Sequence, residues 1–272
     1  MLALLVVTVL AQAPALPLEA PRRVSKLKWS PPVDLPVTAA LGAGWLVSEF
    51  AVKKQLAPAT CRWCETNNLD DSFRTLFAPR VGLTGGSVPD DASNVLWVSS
   101  AIVTLGIQSL LAVRDDAVGN IPVDALLVFE AIFAAMAINQ TVKFAVGRER
   151  PFVAQLRPED KPLTHAPADN NLSFYSGHAT FTMSLAVAAG TITHLRGYRL
   201  GWLVFAVGVP LSIATGMLRL AADKHNFSDL LVGWIAGAGI GFGVPWLFHN
   251  VENPLALRLV PGPSGIALAG RL

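Results

Sequence analysis

The stretch "SFYSGHATFTMSLAVAAGTITHL", Ser173 to Leu195, joins a polar loop to an apolar run that begins at Ala179. A helix needs about 20 apolar residues to cross a bilayer, where unpaired backbone groups find no water, and 179–195 comes close to that length. Five other segments read the same way: 35–52, 95–113, 121–146, 200–217 and 230–248. The expected fold is all-α, a six-helix transmembrane bundle over residues 35–250 with a site at one membrane face. A short tail, 251–272, follows.

Composition agrees. Of 272 residues, 52% are hydrophobic and 15% charged, and the mean hydropathy of +0.47 is far from that of a soluble domain. The net charge of +2 is scattered in short clusters, so nucleic acid is excluded as a partner. Lipid bilayer is the expected environment, and no protein partner is called for. The sequence holds no internal repeat, and 81–93, with "GLTGGSVPDD", reads as an extended loop. Residues 1–20 open with "MLALLVVTVLAQA", which is too short to span and fits either a signal peptide lacking a basic start or an uncleaved interfacial segment. Arg22, Arg23, Lys26 and Lys28 favour a cytoplasmic start, whereas a cleaved signal argues the opposite. With a cytoplasmic start, the loops after spans one, three and five face the periplasm of a bacterial inner membrane, or the exterior. Cys61 and Cys64, the chain's two cysteines, fall in the first of these loops, where a local disulfide is expected.

Three polar clusters border the spans. Lys143 and Arg150, seven residues apart in "KFAVGRERP", leave one side of a helix, and Pro151 ends it. Ser176, Gly177 and His178 stand at the start of span four, where free backbone N–H groups and a residue without a side chain suit an anion. Arg219, His225 and Asp229 lie between spans five and six. If 225–229 is helical, the carboxylate can accept from one imidazole nitrogen and leave the other free. Taken singly, each cluster also fits a structural role: a snorkelling flank, a cap with a polar interface residue, or a cap of span six by Ser228 or Asp229. Alternating spans, however, bring all three to one side of the membrane.

In order and spacing these residues resemble the type 2 phosphatidic acid phosphatase and vanadium haloperoxidase superfamily, over 143–233. Its signature Lys-x6-Arg-Pro, Pro-Ser-Gly-His and Ser-Arg-x5-His-x3-Asp stands here as Lys143 to Arg150-Pro151, Ser176-Gly177-His178, and Arg219 to His225 to Asp229. Tyr175 replaces the proline and Leu218 the serine. The resemblance implies a metal-independent membrane phosphatase acting on a phospholipid or polyprenyl phosphate. His225 would be the nucleophile that becomes phosphohistidine, Asp229 its partner, and His178 the acid and base. Lys143, Arg150, Ser176, Gly177 and Arg219 would bind phosphate. No cofactor is implied, and vanadate is expected to inhibit. Lipid phosphotransfer at the same site is the alternative reading. A haloperoxidase and a non-enzymatic transport or structural protein stand further off.

Glu49, Asp124 and Glu130 lie in or near spans and read as structural pairs or interface groups. His165, His194 and His249 read as loop or interface residues.

Overall fold

Proline within the first two helical positions, where its missing N–H costs nothing, starts two of the long helices, and the left-handed glycines Gly147 and Gly197 end two of the apolar runs. The computed structural model describes residues 24–78, 87–253, 258–262 and 265–269. Its helices are α1 (Pro31–Leu46), α2 (Asn68–Phe77), α3 (Ser87–Arg114), α4 (Ile121–Val146), α5 (Gly177–Arg196), α6 (Trp202–Ala221) and α7 (Phe227–Val244). A β-hairpin, β1 (Arg258–Gly262) against β2 (Gly265–Ala269), lies in the tail. The N-terminal segment read as a signal peptide or interfacial stretch lies outside the described residues.

The six expected spans correspond to α1 and α3–α7, but among the described residues four helical stretches are long and apolar enough to cross a bilayer: Val88–Arg114, Val118–Val146, Trp202–Ala221 and Phe227–His249. The chain is an integral membrane protein whose six long helices are not equivalent. Helix α5 is central, packed by α3, α4, α6 and α7. Surrounded by protein, it has no need to be uniformly apolar, and Thr180, Thr182, Ser184, Thr191 and Thr193 are all buried along it. The hydroxyls of Thr180, Thr182 and Thr193 return to the helix backbone, as Thr180 Oγ1 does to the Ser176 carbonyl at 2.7 Å. Helix α1 has 16 residues before it widens into a π-helical turn, Val47–Ala51.

The core is set by how closely α7 approaches α5. Gly233, Gly237 and Gly241 recur every four residues on α7, so they share one face. A Cβ at these positions would lie 2.9, 2.6 and 2.7 Å from the carbonyl oxygens of Ser176, Thr180 and Ser184. Bare backbone is what lets the two helices touch, as in small-xxx-small packing. Gly237→Ala is therefore expected to force the pair apart and cost about 1–3 kcal/mol. A lowered unfolding midpoint in detergent, with α-helix content retained, is the reading.

The expected structural pairs are present. Asp124 accepts from Arg196 Nε at 2.8 Å, Arg196 Nη2 at 2.6 Å and Tyr198 Oη at 2.8 Å. Glu49 pairs with Lys53 and accepts from Gln140 Nε2 at 2.7 Å. Glu130 Oε1 is 3.7 Å from Nε2 of His249, which reads from sequence as a loop or interface residue and is buried. Helix α3 also begins earlier than expected. Residues 87–93, read as loop, are its first two turns, with Pro89 tolerated near the helix start.

Candidate active site

The ends of α4, α5, α6 and α7 that carry the three clusters meet at one end of the bundle. Lys143 sits in the last turn of α4, which closes on Gly147 with φ 60°. The chain then turns outward, and Arg150, before Pro151, is held extended at φ −73°, ψ 145°. Its Nε donates to the Asp169 carbonyl at 2.8 Å. Arg219, at the end of α6, is paired with Asp90 on α3 and reaches Ser93 Oγ at 3.2 Å. These side chains surround a cavity of about 480 Å³ lined by Lys143, Arg150, Gly177, His178, Arg219 and His225. Gly177 matters here for its missing side chain: a Cβ would stand 3.4 Å from Lys143 Nζ.

Two expected site residues do not line this cavity. Ser176 is fully buried as the N-cap of α5, its Oγ accepting from Ala179 N at 3.4 Å. Its Oγ caps the helix as an acceptor, and Ser176 is not among the residues that line the cavity. Asp229 is fully buried beneath His225. The expected Asp229 to His225 hydrogen bond is absent: Nδ1 of His225 donates to the Ser173 carbonyl at 2.8 Å, while Asp229 Oδ2 is 3.7 Å away. That carboxylate instead accepts from Ser173 Oγ at 2.6 Å, Asn226 N at 2.9 Å and Arg148 Nη1 at 2.6 Å. Helical i,i+4 spacing brought the two residues close, but a backbone carbonyl won the proton. Because a carbonyl only accepts, His225 must carry hydrogen on Nδ1, which leaves Nε2 with a free lone pair.

The cavity holds groups that sequence reasoning missed. Asp90, Asn94 and Trp97 come from the first turns of α3, Asp169 and His165 from the loop before α5, and Lys224 from the loop carrying His225. His165 was expected to be an incidental loop residue. His178 Nε2 is 2.9 Å from Asn94 Oδ1, and its ring is tilted against Trp97 with centroids 5.7 Å apart. The other side of the cavity is apolar, with Trp45, Phe50, Val98 and Met136. Leu218, where the resembled signature has serine, offers Arg219 no hydrogen bond, and Ser93 supplies one instead. Tyr175, where it has proline, is held through its carbonyl by Asn139 Nδ2 at 2.8 Å.

Burial and the positive charges of Arg150, Arg219 and Lys143 hold the His225 imidazole well below its ordinary 6.5, against the Ser173 carbonyl, which favours protonation. Burial alone would raise the Asp169 carboxyl, but Arg150 and Lys53 outweigh it and keep it below 3.8. The sign for activity follows. A neutral His225 can attack and a protonated one cannot, so reactivity persists as pH falls through 6.5 and is lost only below it. An acid limb of kcat/KM lying under pH 6.5, with a substrate whose phosphate ionises outside that range, is expected. A limb above 6.5 that vanishes with His225 would contradict the geometry.

Residues 124–252 match the PAP2 superfamily. This segment is a PAP2 superfamily domain. Phospholipid phosphatase 1 of Rattus norvegicus is 32% identical over 126 residues, 39% of this chain and 45% of the relative. Phospholipid phosphatase 2 of Homo sapiens is 28% identical over 200 residues, 62% of this chain and 67% of the relative. The chain thus spans under half the length of the first of these curated relatives. The crystal structure of a transmembrane PAP2 type phosphatidylglycerolphosphate phosphatase from Bacillus subtilis aligns with a TM-score of 0.44 at 15% identity, covering 76% of this chain and 93% of that one. The three clusters all lie inside the PAP2 domain, whereas the π-helical turn after α1, which carries Glu49, and helices α2 and α3, which carry Asp70, Asp90 and Asn94, precede it.

Proposed function

We propose that the protein is a membrane phosphatase that hydrolyses a lipid phosphate or diphosphate through a phosphohistidine on His225. The observation that carries this reading is the juxtaposition of His225, with hydrogen on Nδ1 and a free Nε2, and the cations Lys143, Arg150, Arg219 and Lys224 around one cavity. Nε2 attacks phosphorus, the N–P bond forms, and the P–O bond to the lipid breaks. His178 gives its proton to the leaving oxygen. Water then attacks phosphorus, returns a proton to His178, and the N–P bond breaks to release phosphate. Fixed cations and the Gly177 amide at the start of α5 hold the charge that spreads over the phosphoryl oxygens. Asp229 acts from behind, through Ser173 and by its charge.

The apolar wall of Trp45, Phe50, Val98 and Met136 beside these cations fits a phosphate borne on an apolar body. Four cationic side chains suit an anion and would repel a divalent metal, so turnover is expected to survive EDTA and to be inhibited by vanadate. The test is phosphate release by purified protein from a panel of phospholipid and polyprenyl phosphates, with His225→Ala as blank. Appearance of label in a lipid acceptor in place of free phosphate would make the enzyme a transferase.

The reading includes a site on the periplasmic or outer face of a bacterial inner membrane. Cys61 and Cys64 are disulfide-bonded, and their segment pairs with the turn after α4, Glu149 N donating to the Trp63 carbonyl at 3.1 Å. Such bonds persist in oxidising compartments, which supports placing this end of the bundle there. Arg157→Cys, on an exposed stretch of the same end, is expected to react with a membrane-impermeant maleimide in intact cells. Labelling only after lysis would reverse the orientation.

A further inference from the structure

Beneath the nucleophile lies a buried ion triad. Arg148 Nη1 donates to Asp229 Oδ1 at 2.6 Å, and Nη2 to Asp70 Oδ2 at 2.7 Å. The side chains of Arg148, Asp70 and Asp229 are 1%, 0% and 0% exposed, so solvent does not screen their charges. Ser228 closes the ring: its Oγ accepts from Arg148 Nη1 at 2.7 Å and donates to Asp70 Oδ2 at 2.8 Å, and its N–H donates to Asp70 Oδ1 at 2.8 Å. The Trp63 ring lies under the guanidinium, 4.0 Å away.

Asp70 comes from α2, outside the PAP2 domain, and α2 is firmly seated. Asn67 caps it, accepting from Asp70 N at 3.0 Å. Arg74 forks onto Asp223 at 2.7 and 2.6 Å. Phe73 stacks on Phe227 with centroids 3.7 Å apart. The last two contacts hold Asp223 and Phe227, which flank His225 on either side.

With Arg148 bound, Asp229 alone would form a neutral pair. Two carboxylates against one guanidinium leave a net charge of −1 under the imidazole. We infer that Asp70 is a positioning residue for the nucleophile: by offsetting Arg148 it leaves the Asp229 charge uncancelled toward His225, and it ties α2 to the catalytic loop. This inference rests on the phosphohistidine reading. When Nε2 bonds to phosphorus the neutral ring gains a positive charge, which that negative charge favours. The charged groups that act on the ring from other elements, Arg150, Arg219 and Lys143, are cationic and oppose it. Asp70 does not line the cavity, so it makes no contact with a phosphate bound there, and ground-state binding is expected to change little.

The test is rapid-quench formation of the acid-labile phosphoenzyme by the full-length protein, using labelled phosphatidic acid in mixed micelles. Asp70→Asn, nearly isosteric, is expected to slow formation roughly tenfold or more and to weaken vanadate, which resembles the transition state, in parallel, with the inhibition constant of inorganic phosphate, a ground-state anion, within about twofold of wild type. A purely structural role would lower the amplitude, through fewer folded molecules, and leave the rate per competent site intact; that outcome overturns the inference. The double variant Asp70→Asn with Arg148→Gln removes both opposing charges and is expected to recover most of the rate. It also serves if the single variant fails to fold, because a tenfold or greater loss in the double variant would sink the charge argument. Failure of the underlying reading looks different: phosphoenzyme would then be absent from wild type or persist in His225→Ala.

Discussion

Replacing His225 by alanine is expected to lower phosphate release by on the order of 10⁴-fold or more, the scale seen when a covalent nucleophile is removed. The labelled, acid-labile phosphoenzyme should vanish with it. Folding should change little, because the imidazole makes one hydrogen bond, to the Ser173 carbonyl, and Asp229 keeps its three other donors. Unfolding midpoints of variant and wild type should therefore agree within a few degrees. A variant that is folded yet still turns over at more than about a hundredth of the wild-type rate would remove the covalent step from the mechanism.

Arg219→Ala carries the next largest effect. The guanidinium lines the cavity, is buried, and is held from behind by Asp90 and Ser93, so its position is set before phosphate arrives. A preorganised donor of this kind contributes about 3–4 kcal/mol to the transition state, which is a loss of about 10²–10³-fold in kcat. Vanadate, which resembles the five-coordinate phosphorus, should bind correspondingly more weakly, while KM for a ground-state substrate moves less. Asp90 keeps Lys224 as a partner at 3.3 Å, so the variant should fold. Equal weakening of substrate and vanadate would make Arg219 a simple binding group.

Which features were legible in the chain depends on how far apart their causes lie. Lys143, Arg150, Gly177, His178, Arg219 and His225 could be read because each sits at a helix end, and alternation of the spans alone brings those ends together. Asp90 and Asn94 could not. Their partners, Arg219 and His178, are on other helices, and the Gly and Pro before them looked like loop although Pro is tolerated in a first helical turn. Span four read as one span among six, because apolar content alone does not show that protein surrounds it. The glycines of α7 recur at even spacing in the sequence and so suit close packing, yet only geometry shows that α5 is what they touch. For Asp229 the spacing fixed proximity but not the hydrogen bond, since two acceptors competed for one N–H and the Ser173 carbonyl stood nearer.

Helices α1 to α3 precede the matched segment, and this has a consequence for protein engineering. A fragment trimmed to 124–252 would keep every signature residue and still lose Asp90, which pairs with Arg219 and Lys224, and Asp70, one of the two carboxylates on Arg148, along with the amide that steadies His178. Swapping that segment between relatives would graft a catalytic set onto foreign supports. Chimaeras should be cut upstream of Asn67, so that donor and brace travel together.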